Sequence, residues 1–468
     1  MRCHMAVLSA ALLISGCATV RPRESFVDVQ RSLADRSPQR VHWLDGSAAD
    51  RAAADEVDAL LAQPLTADAA VQVALLNNRN LQATYEDLGV AQADLVGAGL
   101  LRNPVFDGSV RFAKGGGSPN LDFGVAFDFL DVFFLGLRKQ MAAAQLEVAK
   151  VNVSSAVLGL AGETRVAFFQ LQAAEQAVEL RQQVERATAA SVELATRLRE
   201  AGNNLPLDLA NERALHEESK LARAAAEADV LQRREALNRL MGAWGPRTEW
   251  KATARLPEPP TEALPDVDLE RRAVERSLEL QAARAQVNVA ARELGVTRPL
   301  GYLSDLELGA IAERDDGEWE AGPSVALPLP IFSQGQPAVA RARAELRRAR
   351  QRHEATGVEV RSAVRAAHAR TESLRQRLAH HRSVLLPLRG SIVEETQLQY
   401  NAMQIGAFQL LQAKRDEIEA GGTYLNLLRE YWIARTQLEL ILSGRMPAAL
   451  AAETPDASPT RSTSQGGH

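Results

Sequence analysis

The side chains of this sequence that could do chemistry are a histidine pair, a basic stretch and scattered carboxylates. His380 and His381 are adjacent, and adjacent side chains on a helix point about 100° apart, with no Cys or carboxylate four residues on to complete a metal site. Residues 341–352 intersperse arginines with Ala and Leu, which is typical of a solvated helix face rather than of a polyanion site. No Ser/His/Asp, Cys/His or paired-carboxylate arrangement stands out, and there is no phosphate-binding loop. The sequence therefore predicts neither an enzyme nor a bound metal or cofactor.

Carboxylates that do follow a pattern lie where apolar and polar residues alternate. This period of two predicts a β-hairpin over residues 104–131 and strand-like stretches over 303–330, with a turn at 314–317. Each hairpin would have one apolar and one acidic face. The candidates for a water-filled interior are Asp107, Asp122, Asp128, Glu307, Glu313, Glu318 and Glu320. The candidates for a lipid-facing surface are Phe106, Phe112, Phe123, Phe127, Phe129 and Trp319. An acidic interior would favour cations, although a solvated face without selectivity explains the same pattern.

Long helices must hold these hairpins in place. Aromatic residues make up only 5% of the chain and the net charge is −5, a composition typical of long helices with small contact residues and without the basic footprint of nucleic-acid binding. Apolar residues at helical spacing predict a helix from Thr66 to about Gly97, and another over about 268–297. Coiled-coil hairpins are predicted over 136–242 and 338–444.

Turns and a proline-rich segment separate these predicted elements. The coiled coils reverse at 202–206 and near Gly406, and the second one bends at Pro387. A Pro-rich crossover over 243–266 joins the two halves, and residues 445–468 are predicted to be disordered.

The two halves are repeats of each other. Nine residues of the first half recur exactly 199 positions later. The first set is Ala74, Leu81, Gln82, Ala83, Val90, Ala91, Leu95, Phe133 and Gly136; the second is Ala273, Leu280, Gln281, Ala282, Val289, Ala290, Leu294, Phe332 and Gly335. Residues 65–242 and 267–444 are therefore predicted to build units of the same kind, each a helix, a hairpin and a coiled coil.

The N-terminus has the features of an exported protein. An apolar run of about ten residues, too short to span a bilayer as a helix, precedes Ile14-Ser15-Gly16-Cys17. This motif resembles a bacterial lipoprotein box, which implies removal of residues 1–16 as a signal peptide and acylation of Cys17. An ordinary secretory signal with an incidental Cys is the alternative. Residues 17–64 are polar and are predicted to form a tether.

The hairpins cannot be stable alone. A lone two-stranded hairpin is marginal in water, and open sheet edges in lipid leave backbone groups unpaired at a cost of several kcal/mol each. Strands of about ten residues with an apolar and a polar face match a membrane barrel. Two copies would give eight strands and a lumen packed with side chains, whereas three would give twelve strands and leave an opening.

The sequence also resembles the TolC-like outer-membrane efflux proteins. The resemblance lies in the duplicated Asn80-Leu81-Gln82-Ala83 and Glu279-Leu280-Gln281-Ala282 motifs, in residues 328–332 with Gly335, and in the turn from Gly202 to Ala210. It covers residues 65–444. It implies a mainly α-helical fold with a small transmembrane β part, in which a homotrimer forms a twelve-stranded barrel continued by an α-helical tunnel. The implied function is the outer-membrane exit duct of a tripartite efflux system, joined to an inner-membrane pump by a periplasmic adaptor.

The coiled-coil turns would then lie at the periplasmic tip. The candidate tip, gate and adaptor-contact residues are Gly202, Leu205, Asp208, Gly406 and Phe408. Glycine permits a tight reversal, and Asp208 at a helix start can cap free N–H groups. Asp208 is expected either to act only as a cap or also to form a symmetric ring of charge. The second turn, Ile405 to Leu411, has no acidic residue.

One alternative from another class is a periplasmic coiled-coil adaptor or structural lipoprotein that forms no pore. The two amphipathic hairpins favour the channel, because an adaptor has no need of them. The transported substrate and the class of pump do not follow from the sequence.

Overall fold

The structure is a computed structural model that describes residues 20–112, 118–128, 130–202, 205–253, 255–260, 262, 267–300, 307–315, 318–326, 331–332 and 334–447. The chain divides into two compact units. The first contains Ala83–Ser154, Leu278–Gly357 and the N-terminal residues up to Leu33; the second contains Ala34–Gln82, Ser155–Ser277 and the residues from Val358 onward. Each unit therefore takes residues from both sequence repeats. The predicted signal peptide, Cys17, Phe129 and most of the predicted disordered tail lie outside the described residues.

Helices account for most of the described chain, and they follow one another in this order. Before the first strands come α1 (Pro22–Ala34), α2 (Ala48–Leu61), α3 (Ala67–Asn77) and α4 (Arg79–Ala98). Between the two pairs of strands come α5 (Leu130–Glu200), α6 (Pro206–Met241), α7 (Leu269–Arg276) and α8 (Leu278–Leu300). After the last strand come α9 (Gln336–His380), α10 (Leu386–Asn401) and α11 (Ala407–Ser443).

The four strands form one antiparallel sheet in the first unit. They are β1 (Val105–Arg111), β2 (Asn120–Asp128), β3 (Glu307–Asp315) and β4 (Glu318–Ala326), in the order β1-β2-β3-β4. The two hairpins pair with each other through β2 and β3, in a register that runs from Leu121 opposite Arg314 to Asp128 opposite Glu307. The prediction of a turn beginning at Arg314 was wrong, because Arg314 and Asp315 continue the ladder with β4.

The prediction of one continuous helix before each hairpin was also wrong. The first helix breaks at Asn78 and the second at Ser277, positions that are 199 residues apart. At the first break the Asn78 side chain accepts a hydrogen bond from the Leu81 amide at 2.9 Å and donates one to the Leu240 carbonyl at 2.8 Å. An amide side chain that replaces backbone partners in this way stabilises a helix start. Apolar periodicity alone did not reveal the break, because the break depends on these polar contacts and not on the spacing of apolar residues.

The predicted polar tether contains two helices, α1 and α2. Helix α1 buries Phe26, Val29 and Leu33, and the Phe26 ring lies edge-on to Tyr85 with centroids 5.0 Å apart. Helix α2 buries Ala53, Val57 and Leu61. These short helices depend on packing, because isolated helices of 13 and 14 residues are marginal in water.

The crossover between the repeats contributes to the core of the second unit. A parallel bridge joins Leu65 to Ala252, and Leu65 is fully buried. Trp250 is buried as well, donates its indole N–H to Asn238 at 2.9 Å, and lies 4.2 Å from the guanidinium carbon of Arg234. The bridge and these contacts fix an otherwise extended segment against α3 and α6.

The last coiled coil changes its winding before Pro387. Residues His381–Leu385 form a π-helical turn between α9 and α10. Proline in a helix clashes with the carbonyl four residues earlier, here that of Ser383, and a wider turn accommodates the ring. The structure thus has a π turn over His381–Leu385, just before the proline at which the sequence predicts a bend.

Candidate functional site

The strand register separates the predicted apolar and acidic residues onto opposite faces of the sheet. Phe106 lies opposite Val125, and Leu308 lies opposite both Phe127 and Val325, so these side chains share one face. Phe123 and Trp319 lie on the same face, and Phe112 follows directly after β1. The other face carries all seven of the predicted carboxylates: Asp107, Asp122, Asp128, Glu307, Glu313, Glu318 and Glu320.

A band of aromatic rings runs across the apolar face. The rings of Phe106 and Phe123 stack with centroids 6.1 Å apart, and Phe123 stacks on Trp319 at the same distance. The Phe123 ring also covers Gly108, where an added Cβ would approach it to 3.2 Å. Cross-strand aromatic pairs stabilise a sheet and set its register, so this band links three strands from both repeats.

The acidic face contains an arginine that sequence reasoning did not select. Arg111 Nη2 lies 2.8 Å from Asp122 Oδ2 and 2.9 Å from Glu313 Oε1, and the Ser109 hydroxyl donates to Asp122 Oδ2 at 2.8 Å. Arg111 follows the same alternation as Asp107 and Ser109, so its face could be read from the sequence. Its contact with Glu313 could not, because 202 residues separate the two.

The two coiled-coil turns have matching geometry. Gly202 has φ +76° three residues before the helix-start residue Leu205, and Met403 has φ +58° three residues before the helix-start residue Gly406. Gly406 lies at the predicted turn as the residue before α11 with φ −81°, and the left-handed conformation in that turn is taken by Met403.

At the first turn the Asp208 carboxylate accepts a hydrogen bond from the Leu205 amide at 3.3 Å, which is the capping arrangement expected of an acidic residue in the first helical turn. Leu205 is 65% exposed, whereas Phe408 in the second turn is half-buried. The turn residues thus lie at the helix ends as predicted from the sequence, and the capping role of Asp208 is visible in its contacts.

Close to these turns, an ion pair that is largely shielded from water joins the two helical hairpins within the second unit. Arg415 of α11 contacts Glu212 of α6 at 2.8 Å, and Ser191 of α5 donates its hydroxyl to the same carboxylate. A neighbouring group of hydroxyls, in which Thr188 lies 2.9 Å from Ser219 Oγ and 3.1 Å from His216 Nδ1, occupies the next turns of α5 and α6. Polar contacts of this kind fix helix register where an apolar seam would permit sliding.

Comparison with known proteins finds sequence similarity to outer-membrane efflux proteins. A family model described as outer membrane efflux protein matches residues 49–243. The chain is 24% identical over 387 residues to the cobalt-zinc-cadmium resistance protein CzcC of Cupriavidus metallidurans, a match that covers 81% of this chain and 90% of that protein. Over these residues the chain is similar to the outer membrane efflux proteins.

Solved structures of outer membrane channels are similar to this chain at the level of the fold. The open-state MtrE outer membrane channel of Neisseria gonorrhoeae matches with a TM-score of 0.67 and 20% identity, over 81% of this chain and 89% of that one. The CmeC outer membrane channel of Campylobacter jejuni matches with a TM-score of 0.67 and 16% identity, over 82% of this chain and 86% of that one. The described part of the chain therefore has the fold of these outer membrane channels, and the alternative of an adaptor without a pore has no support from the comparisons.

The histidine pair lies where α9 meets the π turn, with His380 at the end of the helix and His381 at the start of the turn. His381 is buried with a ring centroid 6.0 Å from that of Tyr424, whose hydroxyl donates to Glu258 at 2.5 Å. Burial, together with the neighbouring His380, lowers the pKa of the His381 imidazole below its usual 6.5, and burial with the Glu258 contact raises the pKa of the Tyr424 hydroxyl. Among the described residues, no group of three His, Cys, Asp or Glu side chains is arranged to hold a metal ion.

Within the same described segments, no helix combines the length and apolar character needed to cross a membrane.

Proposed function

We propose that three copies of this chain close their sheets into one twelve-stranded barrel that conducts metal cations out of the cell. Within one chain, β1 and β4 are the edges of a four-stranded sheet. Edge N–H and C=O groups exposed to hydrocarbon cost several kcal/mol each, so the sheet needs neighbours on both sides. Two copies would give an eight-stranded barrel filled by side chains, whereas twelve strands leave a passage.

The division of the sheet into two faces is the observation that carries this proposal. The aromatic band of Phe106, Phe123 and Trp319 faces lipid, and the seven carboxylates face the water-filled lumen. The reverse arrangement would place these seven carboxylates and Arg111 in hydrocarbon, where even paired charges are costly. The exposed Trp319 indole marks an interfacial position.

The cargo is proposed to be a metal cation. An acidic lumen attracts cations and repels anions, and the relative CzcC is named for resistance to cobalt, zinc and cadmium. Here the metal ion is a transported substrate and needs no resident site in the protein. The channel is passive and not an enzyme, and a separate inner-membrane pump supplies the energy.

The helical tips are proposed to meet a periplasmic adaptor. Leu205 and Leu207 project beside Asp208 and are 65% and 66% exposed, which gives the tip an apolar contact surface around a charged residue. Gly202, Gly406 and Phe408 complete the turns that present this surface. Asp208, tripled by symmetry, is proposed to add a ring of negative charge that restricts the closed passage.

The N-terminus is proposed to anchor the chain through acylated Cys17 after removal of residues 1–16. A mature protein carrying diacylglycerol and an amide-linked fatty acid would show a mass increase that a Cys17→Ser variant lacks. Mass spectrometry of the purified protein distinguishes this anchor from an ordinary secretory signal, which would leave Cys17 unmodified or remove it.

Electrophoresis and planar-bilayer recording of the detergent-extracted protein test the channel proposal together. The expected results are a trimer band that converts to monomer on heating, stepwise conductance, and greater permeability to cations than to anions. A water-soluble monomer without channel activity would refute assembly into a pore. Deleting the gene and measuring tolerance to zinc, cobalt and cadmium tests the cargo, because unchanged tolerance would contradict the metal-cation assignment while leaving the channel intact.

A further inference from the structure

Three carboxylates of the acidic face lie in one row across neighbouring strands. Asp122 is directly opposite Glu313, and Glu313 is directly opposite Glu320. Like charges at directly opposite positions destabilise a sheet. The row lies toward the hairpin-turn ends of the strands, since Glu313 and Glu320 are each two residues from the turn that joins β3 and β4.

Arg111 supplies the positive charge of this row from the edge strand. Its Nη2 atom lies between Asp122 Oδ2, at 2.8 Å, and Glu313 Oε1, at 2.9 Å, and 61% of the arginine side chain is exposed. A guanidinium that contacts two carboxylates reduces the net charge of the row from three negative charges to two. Arg314, by contrast, shares the opposite face with Leu121 and Trp319.

We propose that Arg111 is a specificity-determining residue of the channel, because it sets how strongly this row prefers cations. The proposal rests on the proposed function, in which the acidic face lines the lumen. Arg111 occupies the position beside two carboxylates that a passing cation would otherwise take, so it weakens cation attraction there and limits retention of the cargo. Its partners come from both sequence repeats, which makes the preference of the row a property of the assembled sheet.

The reversal potential of reconstituted channels in a salt gradient measures this effect. One unit charge at about 4 Å in water changes the local concentration of an ion by about fivefold. Arg111→Gln is therefore expected to raise the ratio of potassium to chloride permeability by at least about fivefold. Arg111→Lys keeps the charge and is expected to retain the wild-type ratio. Arg314→Gln is the matched control, since it removes an arginine from the opposite face and should leave the ratio unchanged.

Glu320→Gln keeps the test decisive if Arg111→Gln fails to assemble. This variant removes a carboxylate of the same row that Arg111 does not contact, and it is expected to lower the cation preference. A wild-type ratio in Arg111→Gln would overturn the role of Arg111. A wild-type ratio in Glu320→Gln would overturn the role of the row, and with it the basis for any role of Arg111. Failure of the proposed function gives a different result, because the wild-type protein itself would then form no channel.

Discussion

Removal of Arg415 should loosen the contact among α5, α6 and α11. Its guanidinium lies 2.8 Å from the Glu212 carboxylate, and only 18% and 17% of the two side chains are exposed. Fully buried Ser191 also donates to Glu212. In an Arg415→Ala protein this carboxylate would be held by one hydroxyl in a site largely closed to water, which is an unfavourable environment for a charge.

The expected magnitude follows from the distance and the exposure. Two unit charges 2.8 Å apart attract by about 6 kcal/mol at an effective dielectric constant of about 20, but desolvation of both ions offsets much of this attraction. Breaking a fully buried pair costs about 3–5 kcal/mol, and the remaining exposure here reduces the expected loss to about 2–3 kcal/mol. Local opening should then become about 30- to 150-fold more frequent, at about 1.4 kcal/mol for each factor of ten.

Hydrogen exchange followed by mass spectrometry measures this change in the peptides of α6 and α11 that flank the pair. Arg389→Ala is the matched control, because Arg389 pairs with Asp416 at 3.3 Å while 39% and 35% of the side chains are exposed. An exposed pair contributes at most about 1 kcal/mol, so this variant should accelerate exchange less than about fivefold.

A double-mutant cycle between Arg415 and Glu212 should give a coupling free energy of about 1–3 kcal/mol. Equal acceleration in Arg415→Ala and Arg389→Ala, or a coupling near zero, would refute the inference that the buried pair links the hairpins.

Three further predictions concern the turns and the π turn. Asp208→Ala should remove the helix cap, at a cost of about 1 kcal/mol, and raise the conductance of the closed channel; unchanged single-channel conductance would restrict Asp208 to capping. Met403→Gly should stabilise the protein by up to about 1 kcal/mol, because it relieves a left-handed conformation at a side chain that is 93% exposed, and Gly202→Ala should have the opposite effect on the midpoint of thermal unfolding. Because the pKa of His381 is lowered on folding, its neutral form contributes stability that is fully present above about pH 6.5 and is lost as the pH falls through the lowered folded value. The midpoint of thermal unfolding should therefore fall less on acidification in His381→Gln than in the wild type, and an equal acid-induced fall in both proteins would contradict this role.

Local patterns in the sequence predicted many of the elements. Alternation identified both hairpins and assigned the seven carboxylates to one face, because side-chain direction in a strand depends only on position along that strand. The turns near Gly202 and Gly406 were recognised as well. The breaks at Asn78 and Ser277 were missed, since they depend on contacts with other segments, as the bond from Asn78 to Leu240 illustrates.

Helices α1 and α2, which lie in the segment predicted to be a polar tether, show the same limit of sequence-based prediction. Helix α1 is stable because Phe26, Val29 and Leu33, which recur at helical spacing, pack against other parts of the first unit, and the partners of that packing cannot be read from these 13 residues. At the second turn, the sequence indicated Gly406 as the turn residue, whereas the residue with a left-handed φ is Met403. The position of the reversal is set by where α10 ends and α11 begins. Met403 takes the strained positive φ there, and its side chain is 93% exposed, so no packing prevents that conformation.

The sequence by itself determined the repeat, the period of each segment and the two-faced character of its hairpins, because each of these follows from neighbouring residues. Only the tertiary structure decided that β2 pairs with β3, that Asp122 faces Glu313, and that Arg111 lies between them. The contacts between the two hairpins join residues about 180 to 200 positions apart, and no local backbone preference specifies such a register. The charge pattern of the proposed lumen is therefore a consequence of folding rather than of any single segment.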